Sequence, residues 1–273
     1  MSGQDAGRTR MQRQAASLDT TRKAAWLRIL PVRVPDMERW TLLAIALTAA
    51  ALLAFANIAA EVIEGDTRAF DEYVLLGLRN AQDPSDPIGP RWFEEVMRDF
   101  TALGGTGVLV TVSLAVLGFL LLTGKRQAAV MVVASVTTGF LLSHALKWGF
   151  DRPRPDLVPH GAAVYTQSFP SGHAMLSAIV YLTLGALLAR VQSGRRVKAY
   201  LLVVAALLSV IVGASRVYLG VHWPTDVLAG WAIGAAWALL CWLILLRLQH
   251  RRVQIRERSE PDRERVRQSA HQG

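Results

Sequence analysis

Residues Thr41–Ile63 read TLLAIALTAAALLAFANIAAEVI, with one charge, Glu61, close to the end of the run. A hydrocarbon core of about 30 Å takes roughly 20 apolar residues of helix to cross, so this stretch is a spanning helix. Five more such runs follow: Gly104–Thr123, Ala128–Trp148, His173–Ala189, Ala199–Ala214 and Val227–Leu246. The fifth is short, and Lys198 and Arg216 at its ends are expected to snorkel toward the interfaces. The 273 residues are 52% hydrophobic, with a mean hydropathy of +0.29. Six buried runs would leave too little polar sequence to coat a soluble globule, so the fold class is an all-α membrane protein with six transmembrane helices.

The chain carries a net charge of +9 and has a pI near 10.4. Nucleic acid is one reading of such a balance, but the placement of the charge excludes it. Met1–Arg39 holds eight basic and four acidic residues, and so does the segment from Arg247 onward. Lys125 and Arg126 lie between spans two and three. Arg190, Arg195, Arg196 and Lys198 lie between spans four and five, and neither connection contains an acid. The connection Glu61–Phe100 is the opposite, with ten acids against four arginines. This alternation is what the positive-inside rule requires of an even number of spans with both termini in the cytoplasm. The basic tails, residues 1–39 and 248–273, then read as cytoplasmic anchors near anionic membrane lipids, flanking a six-span domain over 40–247. No cleavable leader is expected before the first span. Within Glu61–Phe100, the periodic stretches Phe70–Leu78 and Trp92–Phe100 predict two short amphipathic interfacial helices joined by a turn at Asp83-Pro84-Ser85-Asp86-Pro87.

Three clusters fall in the remaining outward-facing connections: Lys147-Trp148-Gly149-Phe150-Asp151-Arg152-Pro153-Arg154-Pro155, Phe169-Pro170-Ser171-Gly172-His173, and Ser215 through Asp226. If the helix ends converge, Lys147, Arg154 and Arg216 supply three positive charges to neutralise a phosphate and its transition state. Ser171 and Gly172 precede a helix start, where free N–H groups and the dipole favour phosphate oxygens. His222 lies four residues before Asp226, with Pro224 in the first helical turn. The carboxylate can therefore reach one ring nitrogen and leave the other free to attack phosphorus. His173 is placed to protonate the leaving alkoxide and then to activate the water that hydrolyses the phosphohistidine.

These clusters resemble the three-part signature of the type 2 phosphatidic acid phosphatase superfamily. K-x6-R-P is met by Lys147 through Pro155, P-S-G-H by Pro170 through His173, and S-R-x5-H-x3-D by Ser215 through Asp226, with no departure at a motif position. The resemblance implies a membrane-integral lipid phosphatase with its active site at the non-cytoplasmic helix ends, in the cytoplasmic membrane of a bacterium. Lys147, Arg154, Ser171, Gly172 and Arg216 would hold phosphate, His173 would be the acid, and His222 with Asp226 the nucleophile and its orienter. It also implies a metal-independent reaction without a cofactor, and a lipid phosphate as partner: phosphatidic acid, phosphatidylglycerol phosphate, lysophosphatidic acid, a sphingoid phosphate or undecaprenyl diphosphate.

Three other functions share parts of the pattern. A phosphotransferase would use the same phosphohistidine and pass the phosphate to an acceptor other than water. An anion transporter would carry charges deep within its spans, which are nearly charge-free here. A vanadium-dependent haloperoxidase has a similar anion pocket in a soluble protein. Among residues outside the signature, Asp151 and Arg152 are expected to be solvated or to pair locally, and His160 to lie exposed in a loop. Tyr165 and Phe169 are expected near the substrate entrance. Asn57 should bond a neighbouring helix, Trp40, Trp148, Trp223 and Trp231 should pack or sit at an interface, and Cys241 should pack without a disulfide partner.

Overall fold

A computed structural model describes residues 37–160, 162 and 166–270. The expected N-terminal segment up to Arg39 lies almost wholly outside these residues, as does Tyr165. The elements in chain order are α1 (Met37–Glu64), α2 (Arg68–Gly77), β1 (Arg79–Asn80), β2 (Asp83–Pro87), α3 (Arg91–Ala102), α4 (Thr106–Leu122), α5 (Arg126–Gly149), α6 (Gly172–Val191), α7 (Arg195–Tyr218) and α8 (Pro224–Ala270). Five helices among the described residues are long and apolar enough to cross a membrane. A sixth span results if α3 and α4, which meet at a 50° bend, are taken together. The break falls at Leu103-Gly104-Gly105, where glycine costs a helix least to leave. α4 alone has 17 residues, about 25 Å of helix.

α6 lies at the centre. Its residues Ala174 through Val180 are all buried, all round the helix, against α4, α5, α7 and α8. Met175, Ile179 and Val180 form its apolar core with Leu109 and Ile233. The approach of α8 to α6 depends on Gly230 and Gly234. A Cβ at Gly230 would lie 2.7 Å from the Ser171 carbonyl oxygen, and one at Gly234 would lie 2.6 Å from that of Met175. The spacing is a small-xxx-small seam, in which missing side chains let two backbones touch in lipid. Gly230→Val is therefore expected to lower stability by about 1–3 kcal/mol through overpacking. A lowered melting temperature in detergent would show it, and an unchanged one would mean that the helices part freely.

Three expectations need correction. The span drawn to end at Ala214 continues for another helical turn to Tyr218, and Arg216 is only 3% exposed. It does not snorkel, because Thr101 of α3 provides a hydroxyl at 3.0 Å to accept from its Nη1. Asp83–Pro87 is a strand rather than a turn: the chain reverses at Ala81–Gln82, and β2 pairs antiparallel with β1. Proline's φ is compatible with an extended edge strand, so Pro84 and Pro87 are no obstacle. Asn57 is exposed and makes no side-chain hydrogen bond among the described residues. α2 and α3 match the two expected short helices, and α8 starts with Pro224 in its first turn as the sequence required.

Candidate active site

The three clusters meet at one end of the helices, and α6 and α8 bring them there. The Ser171 N–H donates to the backbone oxygen of Asp226 at 2.9 Å, tying the start of α6 to the first turn of α8. Lys147, in the last turn of α5, comes against the same helix start: a Cβ on Gly172 would be 3.5 Å from Lys147 Cε. Arg216 occupies the last turn of α7. Arg216, His222, Lys147 and Arg154 all lie within electrostatic reach of the His173 ring.

His222 and Asp226 are both essentially enclosed, at 1% and 0% exposure. The neighbours of the ring settle its tautomer. Nε2 is 3.2 Å from Nη1 of Arg154, and a guanidinium can only donate, so Nε2 carries a lone pair. The proton then belongs on Nδ1, which faces Asp226 Oδ2 at 3.3 Å. That carboxylate oxygen also accepts from the Trp223 N–H at 2.9 Å and from the Ser168 hydroxyl. Burial pushes the His222 imidazole down to about 3, against the opposing pull of Asp226. The ring is thus neutral at physiological pH, with its available lone pair directed toward a cation.

Arg154 and Lys147 share a scaffold. Lys147 Nζ donates to the Gln167 carbonyl at 2.7 Å and to Thr166 Oγ1 at 3.1 Å. Arg154 donates from Nε to the Thr166 carbonyl at 2.7 Å and from Nη1 to the Val221 carbonyl at 2.6 Å. Burial lowers the Arg154 pKa, with the charge of Asp226 opposing. Ser171 stands at the N-cap of α6, yet its hydroxyl makes no capping bond. That hydroxyl and the Arg216 Nε are buried without hydrogen-bond partners among the described residues. Buried polar atoms normally find partners, so these two are donors left over by the fold itself. Likewise, no hydrogen bond within the described residues engages the His173 ring.

Sequence reasoning missed several contributors. Arg152 does not pair locally. It bridges Asp226 Oδ1 and Asp71 Oδ2, each at 2.6 Å, over 74 and 81 positions of chain. A usable signal was Asp71 itself, an acid one helical turn before Leu75 on the buried face of α2, where only a paired carboxylate is tolerated. Thr166, Gln167 and Ser168 gave no such signal, because a loop's carbonyl directions are set by tertiary contacts. Phe169 is fully buried and packs against Phe150 and Phe55 with ring centroids 4.8 and 6.0 Å away, so it is an interior wall and not an entrance residue. His160 is exposed, as expected, and its Nε2 meets the Pro155 carbonyl at 2.7 Å. Trp148 is exposed, while Trp223 and Trp231 pack and donate their ring N–H groups to the carbonyls of Pro153 and Ser209. Cys241 is a half-buried free thiol.

Residues 127–249, from α5 through the spanning part of α8, match the PAP2 superfamily. Phosphatidylglycerophosphatase B of Bacillus subtilis is 34% identical over 146 residues, which cover 52% of this chain and 70% of that protein. Lipid A 1-phosphatase of Rhizobium etli is 26% identical over 188 residues, covering 59% and 77%. Among solved structures, the crystal structure of the transmembrane PAP2 type phosphatidylglycerolphosphate phosphatase of B. subtilis superposes with a TM-score of 0.59. It shares 29% identity and covers 72% of this chain and 93% of that one. The order of the helices, the meeting of the three clusters at one end and these likenesses agree: the chain is an integral membrane protein that belongs to the PAP2 superfamily.

Proposed function

We propose that this protein hydrolyses the phosphate monoester of a membrane lipid through a phosphohistidine formed on Nε2 of His222. The observation that carries the reading is the fixed tautomer: Nδ1–H held toward Asp226, and an Nε2 lone pair aimed at Arg154. Phosphate bound among Lys147, Arg154, Arg216, the Ser171 hydroxyl and the N–H groups at Gly172 would take over these donors. Nε2 then attacks phosphorus, and the ester P–O bond breaks with its electron pair going to the alkoxide, which takes a proton from His173. In the second half His173 removes a proton from water, the resulting oxygen attacks phosphorus, and the N–P electron pair returns to His222. Asp226 stabilises the positive charge on the ring between the two steps.

The substrate class follows from the location of the site at the ends of membrane helices, where a phosphate head can enter while its chains stay in lipid. Relatives named for phosphatidylglycerol phosphate and lipid A 1-phosphate support a glycerophospholipid or saccharolipid monoester. The acidic Glu61–Phe100 connection and the basic Lys125–Arg126 and Arg190–Lys198 connections support a site on the non-cytoplasmic side.

Purified protein in detergent is expected to release inorganic phosphate from phosphatidylglycerol phosphate or phosphatidic acid, and to do so undiminished in excess EDTA. Enzyme quenched in alkaline SDS should carry acid-labile, base-stable phosphate. A phosphorylated acceptor in place of free phosphate would overturn hydrolysis, and loss of activity in EDTA would overturn the metal-independent chemistry.

A further inference from the structure

Arg152 joins two carboxylates between which no direct hydrogen bond runs among the described residues. Asp226 and Asp71 are both fully buried, and each gives one oxygen to a separate arm of the guanidinium. The fork is held from every side. Its Nη1 also donates to Thr225 Oγ1 at 2.9 Å and its Nη2 to Thr67 Oγ1 at 3.1 Å, and the Trp223 ring lies 5.7 Å from its centre. Asp71 in turn accepts from the Thr225 N–H at 2.9 Å and from the Thr225 hydroxyl. A short helix remote in sequence is thereby locked to the first turn of α8, one bond from the His222 ring.

The charges explain why the arrangement needs its second acid. Asp226 alone would present a full negative charge to the ring. Arg152 at 2.6 Å cancels most of it and draws the carboxylate toward Oδ1, away from His222. Asp71 holds the other arm of the guanidinium and returns the triplet to a net single negative charge. The three groups are buried or nearly so, and these charges act at short range with little screening.

We propose that Asp71, acting through Arg152, is a positioning residue that keeps Asp226 an effective anion at His222 as Nε2 bonds to phosphorus. This rests on the phosphohistidine reading above. A merely structural role would have Asp71 fasten α2 to α8 and affect folding and phosphate affinity together. A positioning role slows phosphorylation of His222 while leaving the phosphate cradle intact, since among the described residues no hydrogen bond or ion pair links the Asp71 or Arg152 side chain to Lys147, Arg154 or Arg216.

The experiment uses the full chain in detergent and measures rapid-quench phosphoenzyme formation, kcat, KM, competitive inhibition by inorganic phosphate and melting temperature. Asp71→Asn keeps the shape and the acceptor for the Thr225 N–H but removes the charge. It is expected to cut the phosphorylation rate and kcat by about 10- to 100-fold, the usual cost of an outer partner, with KM and phosphate inhibition within about twofold of wild type. Asp71→Asn/Arg152→Met removes both charges, restores the full anion of Asp226 and is expected to regain several-fold of the lost kcat. Should Asp71→Asn fail to fold, Arg152→Lys reads the same split, because an ammonium keeps the charge but cannot fork between the two acids. A double variant no faster than Asp71→Asn, or KM and phosphate inhibition that worsen in step with kcat, overturns the proposal. If wild type phosphorylates His222 and Asp71→Asn does so at the same rate, this inference alone fails. If wild type forms no phosphohistidine, the reading beneath it fails as well.

Discussion

His222→Ala is expected to reduce phosphate release from a lipid phosphate to background, a loss on the order of 10⁶-fold, as when an activated nucleophile is deleted from a triad. The effect should be this large because no other group can replace Nε2. Its lone pair is set by Arg154 on one side and by Asp226 and Ser168 on the other, and the ring is 1% exposed. Truncating a buried ring also opens a cavity, so His222→Gln is the companion that better preserves volume and polarity. Both should keep the helical circular dichroism signal, and neither should yield phosphoenzyme on an alkaline SDS quench that traps it in the wild type. Substantial turnover by either variant, with the fold retained, would sink the mechanism.

The second large effect is expected at His173, and it should depend on the substrate. His173→Gln should slow turnover of an alkyl lipid phosphate by about 10²- to 10⁴-fold, the range for loss of general acid–base help. With an aryl phosphate, whose leaving group needs no proton, the first step should be largely restored. Water activation remains impaired, so phosphoenzyme should accumulate on the aryl substrate. Single-turnover measurement with both substrates separates the steps. Equal losses on the two, without accumulation, would assign His173 a binding role instead. The ring lies within electrostatic reach of Arg216, His222, Lys147 and Arg154, and no hydrogen bond among the described residues engages it.

How far the sequence could be read depends on the range of the interaction involved. Spans were legible because the bilayer imposes a length on them: each of the six runs coincides with a helix, and five of those helices are long and apolar enough to span alone. Where a run ends is less legible. α7 carries Arg216 inward because Thr101, more than a hundred residues earlier, accepts its hydrogen bond, and without that partner the snorkelling expectation would stand. Asp83–Pro87 carries turn-rich composition, yet the reversal takes place at Ala81–Gln82 because pairing with Arg79–Asn80 draws the prolines into an extended edge. The Gly230/Gly234 spacing lies within the sixth run. Only the neighbouring backbone of α6 gives it meaning.

The site divides in the same way. Lys147, Arg154, Ser171, Gly172, His173, Arg216, His222 and Asp226 could be named from residue chemistry and spacing, since His222 and Asp226 lie one helical turn apart and the other clusters adjoin helix ends. Those identities, and the membrane setting that confines the helix ends to one plane, were determined by the sequence alone. The tertiary structure decided which nitrogen of His222 is free, which loop carbonyls hold Lys147 and Arg154, and that Asp226 shares its charge with Arg152 and Asp71. The physical reason is that apolar length and helical period are local and repeat along the chain. A hydrogen bond's direction and a buried charge's partner depend on groups that only the packed fold brings within 3 Å.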